Sequence, residues 1–224
     1  MAIRGIIFDF DGLILDTETP DLTVLSEQYQ DHGVTLQVER WALGLGTHGA
    51  FHPYEELRAL LGRPVDEPAL QQARRARYLQ IVEHQSLQPG VTAVLALAEA
   101  RGLGRAIASS SDRAWVAGWA QRHGIHDRFQ AIRTRDDVAR VKPAPDLFLA
   151  AATALGLPPA ECLVLEDSPN GMRAALAAGM ACVAVPIPAL AQAELPPHTL
   201  RLASLAQLPA DALLAEVERR LASR

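Results

Sequence analysis

Short apolar runs alternate with helical patterns along most of the chain. Residues 3–9 (IRGIIFD) form an apolar run ended by acids and Gly12, which reads as a buried strand feeding a loop. Similar runs recur at Gly104–Ser109, Phe129–Thr134, Cys162–Glu166 and Cys182–Pro186, with a short one at Leu200–Leu202. Between them the spacing predicts helices over Val91–Arg101, Asp112–His123, Pro145–Leu155 and Gly171–Ala178, with glycines at 102, 124, 156 and 179 just past their ends. Strand–helix alternation of this kind predicts an α/β fold, a Rossmann-like parallel sheet with helices on both faces.

The stretch from Thr17 to Gln88 breaks that rhythm. It reads as helices over Leu22–Asp31, Val38–Leu43, Tyr54–Leu61 and Pro68–Glu83, with no buried strand. Turn chemistry at Thr19-Pro20 and Gln88-Pro89-Gly90 marks both crossings. The expected organisation is a core domain of residues 1–16 and 89–224 and an inserted all-helical cap domain of residues 17–88.

Composition changes this picture little. The 224 residues are 49% hydrophobic and 21% charged, ordinary for a globular chain with a sizeable core. A net charge of −5 favours neither nucleic acid nor an anionic membrane. Cys162 and Cys182 sit in apolar runs without metal-ligand spacing and read as small buried hydrophobes. The first residues are neither a signal peptide nor a membrane span, so the expected setting is cytoplasmic.

Four polar signals fall at or just beyond predicted strand ends, where ligands bind in open parallel sheets. Asp9 and Asp11 sit at i and i+2, on one side of an extended chain, with Phe10 on the other. Ser109-Ser110-Ser111 follows the second run, and Pro143 holds Lys142 extended. Glu166-Asp167-Ser168 follows the fourth run. Carboxylates gathered this closely repel unless a cation sits among them, and hard oxygen ligands favour Mg²⁺ shared with a phosphate. Lysine and hydroxyls suit the remaining phosphate oxygens, and one aspartate is free to attack phosphorus. Each piece alone has a bland reading as a loop charge or helix cap. Their joint occurrence at strand ends does not.

The motifs DFDGLILDTE (9–18), ASSS (108–111), VKPAPD (141–146) and LEDSPNG (165–171) occur in order, and the sequence resembles the haloacid dehalogenase superfamily. It looks closest to the branch of β-phosphoglucomutase, phosphoglycolate phosphatase and small sugar phosphatases. The resemblance implies Asp9 as nucleophile and metal ligand, and Asp11 as acid/base whose backbone carbonyl also ligates metal. It implies Ser109 and the N–H of Ser110 as phosphate binders, and Lys142 as the lysine joining nucleophile and phosphate. Asp167 would be a further metal ligand, with Glu166 in or near that shell. The expected activity is a magnesium-dependent phosphatase acting on a small phosphorylated metabolite through an aspartyl-phosphate. The alternative is a phosphosugar mutase. The mutase has a histidine where this chain has Asp21, which favours the phosphatase. A monomer or weak homodimer is expected.

Candidate substrate contacts in the helical insertion are Thr47, His48, His52 and Arg58. Arg74, Arg75 and Arg77 could join them, although a solvated helix face is the plainer reading. Gly44–Gly49 fits G-x-G-x-x-G, but no buried strand precedes it, which argues against a dinucleotide site. A phosphoacceptor receiver module is disfavoured by the first-strand position of Asp9 and by the insertion. Trp115 and Trp119, at i,i+4, read as packing, and His123 and His126 as C-terminal capping.

Overall fold

A computed structural model describes residues 2–223. Six parallel strands form one sheet in the order β3-β2-β1-β4-β5-β6. They are β1 (Gly5–Phe8), β2 (Gly104–Ala108), β3 (Ala131–Arg133), β4 (Cys162–Glu166), β5 (Ala181–Ala184) and β6 (Leu200–Arg201). All six predicted strands are present: β4 has the predicted bounds, β5 begins one residue earlier at Ala181 and ends at Ala184, and the other four are shorter at one or both ends.

Alternate residues of the strands serve opposite faces. Ile6, Phe8, Ile107, Leu163, Leu165 and Val183 pack against α5 (Val91–Ala100), α6 (Arg113–Arg122) and α9 (Ala210–Ala222). Ile7, Ala106, Ala108, Val164 and Cys182 pack against α7 (Asp146–Leu155) and α8 (Pro169–Ala177). Both faces are buried, which is why the strands read as continuous apolar runs. Both cysteines are buried and free, as expected.

Residues 17–88 contain α1 (Glu18–Asp31), α2 (Val38–Trp41), α3 (Pro53–Leu61) and α4 (Glu67–Val82). They gather around their own apolar cluster of Leu25, Tyr29, Trp41, Leu45, Tyr54 and Leu57, which Ile187 and Leu190 enter from the loop after β5. The chain leaves and re-enters the sheet side by side: Leu15 bridges Leu87, and Gln88 N–H donates to Ile14 O at 2.9 Å.

Two expectations shift. α1 begins at Glu18 rather than Leu22, so Thr19-Pro20 is the first helical turn rather than a loop. A proline fits there because first-turn N–H groups have no helical partner. The sequence reading also gave no element after 202, whereas α9 closes one face of the sheet through Leu213, Leu214 and Val217. The glycine-rich stretch 44–49 follows the short α2 and a 3₁₀ turn rather than a strand, so a dinucleotide-binding turn is not formed.

Candidate active site

The strand ends bring the four polar signals together. β1 stops at Phe8, and Asp9 N–H still pairs with Leu165 O at 3.0 Å, which sets Asp9 beside the end of β4. Phe10 is buried in the core, so Asp9 and Asp11 face the opposite way, as their spacing predicts. The chain then turns at Gly12, whose φ of +84° is left-handed and whose Cβ would stand 2.1 Å from Asp167 Oδ2. No side chain fits there. Ser109 N–H continues the β2–β3 pairing to Arg133 O at 2.9 Å and delivers the serine run to the same end of the sheet.

Lys142 is fully buried and binds both acids that flank it: its amine donates to Asp9 Oδ1 and, at 2.8 Å, to Glu166 Oε2. The other Glu166 oxygen accepts from Ser168 N–H at 3.0 Å and Ser168 Oγ at 2.8 Å. Gly171 makes room for that carboxylate, since a Cβ there would sit within 1.9–2.4 Å of it. Asp167 is different. It is 1% exposed, and neither carboxylate oxygen has a hydrogen-bond partner. Asp9, Glu166 and Asp167 each offer an oxygen within 4.8 Å of the others.

Burial raises the carboxyl pKa values of Asp9 and Asp167 well above the ordinary range, and neighbouring acids push the same way. Glu18 is raised for the same two reasons, burial first and then Asp11 and Asp21. For Lys142, burial acts to lower the pKa, but Asp9 and Glu166 outweigh it and the amine is held charged.

Above these groups lies a cavity of about 930 Å³, walled by the strand ends, α6 and the helical segment. Asp9, Asp11, Ser109 and Ser110 line it, with Thr47 and His48 opposite. His48 Nε2 donates to Ser110 O at 2.7 Å, Ser110 Oγ donates to Gly46 O at 2.7 Å, and Asn170 Nδ2 donates to Leu45 O at 2.9 Å. These three contacts tie the helical segment to the strand ends. His52 and Arg58 do not reach the cavity: His52 precedes α3, and Arg58 pairs with Glu67 at 2.5 Å. Arg74 and Arg75 line it, whereas Arg77 pairs with Glu27 at 3.6 Å on the outer side.

Glu18, Tyr78 and Trp115 are among the cavity residues that had no functional reading in the sequence. Glu18 lay inside the first motif without a role. Tyr78 was one aromatic in a helix pattern. Trp115 was read as packing, yet its indole Nε1 donates to Asp11 Oδ1 at 2.8 Å. Nothing in the sequence brings residues 104 positions apart together, so no signal existed for that contact.

This geometry sits within a recognisable family. A family model for haloacid dehalogenase-like hydrolases matches residues 3–179. The chain is 44% identical over 212 residues to the putative phosphatase YhcW of Bacillus subtilis, covering 95% of this chain and 96% of that one. CbbY of Rhodobacter sphaeroides, solved in complex with xylulose-1,5-bisphosphate, superimposes with a TM-score of 0.69 at 27% identity, covering 92% of this chain and 96% of that one. β-Phosphoglucomutase of Clostridium difficile shares the fold, with a TM-score of 0.71 at 20% identity, covering 98% and 99% of the two chains. The chain belongs to the haloacid dehalogenase-like hydrolases. Within them it is a phosphoric monoester hydrolase. No helix among the described residues is long and apolar enough to cross a membrane.

Proposed function

We propose that the protein hydrolyses a small sugar phosphate-like monoester, with Asp9 as the nucleophile and residues 17–88 acting as a cap over the reacting phosphate. The observation that carries this reading is the Asp9 carboxylate, buried at the cavity floor and gripped by Lys142, with Asp11 beside it.

A divalent cation fits the site. The donors are all oxygens, they cluster within 4.8 Å, and the two Asp167 oxygens are buried without partners. Asp9, Asp167 and the Asp11 carbonyl would hold Mg²⁺, with Glu166 behind them on Lys142; when bound, the ion supplies positive charge beside the phosphoryl oxygens. Asp9 attacks phosphorus with one carboxylate oxygen, the P–O bond to the leaving group breaks, and an aspartyl-phosphate forms. Asp11 gives its proton to the departing alkoxide. It then takes a proton from the water that attacks phosphorus, and inorganic phosphate leaves as Asp9 is regenerated. Lys142 keeps Asp9 oriented, while Ser109 Oγ and Ser110 N–H are placed to bind phosphoryl oxygens. The cap excludes water and meets the part of the substrate that does not react.

The phosphatase reading is favoured over the mutase by the state of Asp21. Its Oδ1 accepts from Arg74 Nε at 3.0 Å and Nη2 at 2.5 Å, and its Oδ2 accepts from Trp41 Nε1 at 2.9 Å. Both oxygens are committed, so this side chain braces the cap instead of relaying a proton.

The test is a panel of sugar monophosphates and bisphosphates, hexitol phosphates, phosphoglycolate and nucleotides, with phosphate release and sugar-phosphate isomerisation both read. Release that Asp9→Asn abolishes supports the assignment. Isomerised sugar phosphate without release, or full activity of Asp9→Asn, overturns it.

A further inference from the structure

Asp11 is held from outside its own loop. Trp115 Nε1, on α6, donates to Oδ1 at 2.8 Å, while Ser111 Oγ and Ser109 Oγ donate to Oδ2 at 2.7 and 3.1 Å. The three donors differ in kind. A serine hydroxyl can swing to another acceptor about its own bond, but an indole N–H moves only with its ring. That ring is fixed on several sides. Tyr78 of α4 stacks on it with centroids 5.9 Å apart and planes 24° apart, and Trp119 meets it edge to face at 5.5 Å. Below it, Asp112 caps α6 by accepting from the Trp115 backbone N–H at 2.8 Å. Tyr78 belongs to the helical segment and Trp115 to the sheet side, so one side of the clamp on the indole depends on α4 lying over the strand ends.

We propose that Trp115 is a positioning residue for Asp11. Its indole fixes the carboxylate where it can meet the leaving-group oxygen, and Tyr78 makes that fixing depend on the placement of α4. This rests on the phosphatase reading above. Trp115 itself exchanges no proton. It acts through Asp11, and its effect is largest where proton delivery limits the rate. An alkoxide leaving group needs the proton, whereas a nitrophenolate departs without it. A small displacement of a proton donor is costly, on the order of 10²-fold for about 1 Å.

The experiment replaces the N–H and keeps an aromatic ring. Trp115→Phe is compared with the wild type on the best alkyl phosphate of the substrate panel and on p-nitrophenyl phosphate. The expected result is a kcat loss on the alkyl phosphate at least about tenfold larger than on the aryl phosphate, with KM changed less than about threefold. Equal losses on both substrates, or a raised KM at constant kcat, overturn the proposal. Tyr78→Leu, which leaves the indole in place, is expected to give a smaller loss with the same leaving-group bias. In the double variant that bias is no greater than in Trp115→Phe alone. Additive biases overturn the link to α4.

A second measurement needs no turnover. In ¹⁵N-labelled protein the Trp115 indole N–H resonance is expected to shift on Asp11→Ala, and an unmoved resonance overturns the contact itself. Absence of phosphate release by the wild type, with the indole shift present, faults the phosphatase reading and leaves the positioning contact standing.

Discussion

Lys142 Nζ donates to Glu166 Oε2 across 2.8 Å, and neither side chain reaches solvent. The same amine serves Asp9, so one buried cation stands against two buried carboxylates, with the unpartnered Asp167 beside them. The arrangement is costly to assemble and more costly to break. An isolated buried charge loses its hydration without compensation, which is why removing one partner of such a pair exceeds the value of the pair itself.

Lys142→Met is therefore expected to destabilise the metal-free protein by about 3–5 kcal/mol, read by urea unfolding. Under the proposed mechanism phosphate release should fall by about 10²-fold or more, because Asp9 would lose the group that orients it and the phosphoryl charge would lose a cation. A stability change near zero would show that Glu166 and Asp9 are neutral in the native state and need no cation.

Asp21 offers a test confined to the helical segment. Asp21→Ala leaves the Arg74 guanidinium and the Trp41 indole without their acceptor. The expected cost is about 1–3 kcal/mol, the penalty of stranding partly buried donors. Hydrogen exchange should quicken in α1 and α4 while β1 and β4 keep their protection. Uniform loss of protection would show that the segment and the sheet unfold as one unit.

Much of this architecture was legible in the chain. The six strands announced themselves because a sheet covered on both faces leaves few polar positions in its strands, and none in Gly5–Phe8 or Ala181–Ala184. The alternation Asp9-Phe10-Asp11 gave the facing of both acids, since side-chain direction in extended chain depends only on local geometry. What failed depended on the path of the chain in space. Thr47 and His48 reach the cavity while His52 and Arg58 do not, because the loop after Gly46 turns away into α3. Pro20 looked like a turn residue, yet it lies buried in the first turn of α1, where a missing N–H leaves no helical bond unmade. The Trp115–Asp11 contact joins a loop after β1 to a helix after β2, and neither segment carries a trace of the other.

The start of α6 is braced by the loop after β3, and pH tests the brace. Burial acts to raise the Asp137 carboxyl pKa, but hydrogen bonds from Thr134 N–H and Oγ and from the Arg113 guanidinium outweigh it and hold it below the usual value of 3.8. A depressed folded pKa means that the native protein binds fewer protons than the unfolded chain in that window. The stabilisation is thus full above the unfolded value and lost as pH falls through the folded one. Asp137→Asn is expected to cost about 0.5–2 kcal/mol near neutral pH, the usual value of such a cap. In thermal melts the gap between variant and wild type should close as pH falls below the usual carboxyl value of 3.8. A gap that persists in acid would assign the loss to packing instead.

Asp167 gives the sharpest test of the metal. Its two oxygens are buried and accept no hydrogen bond, and one lies within 4.8 Å of carboxylate oxygens of Asp9 and Glu166. In the absence of a metal ion this carboxylate is a liability, because Lys142 pairs with Asp9 and Glu166 and leaves Asp167 without a partner beside two other acids. Asp167→Asn keeps the shape and removes the charge. In EDTA the variant is expected to melt at a higher temperature than the wild type. Adding Mg²⁺ should reverse the order, since the wild type gains stability in proportion to RT ln(1 + [Mg²⁺]/Kd) and the variant loses most of its affinity. Phosphate release in Mg²⁺ should fall with the loss of binding. If Mg²⁺ raises both melting temperatures equally, the ion sits elsewhere and the acidic cluster must hold its charge by some other means.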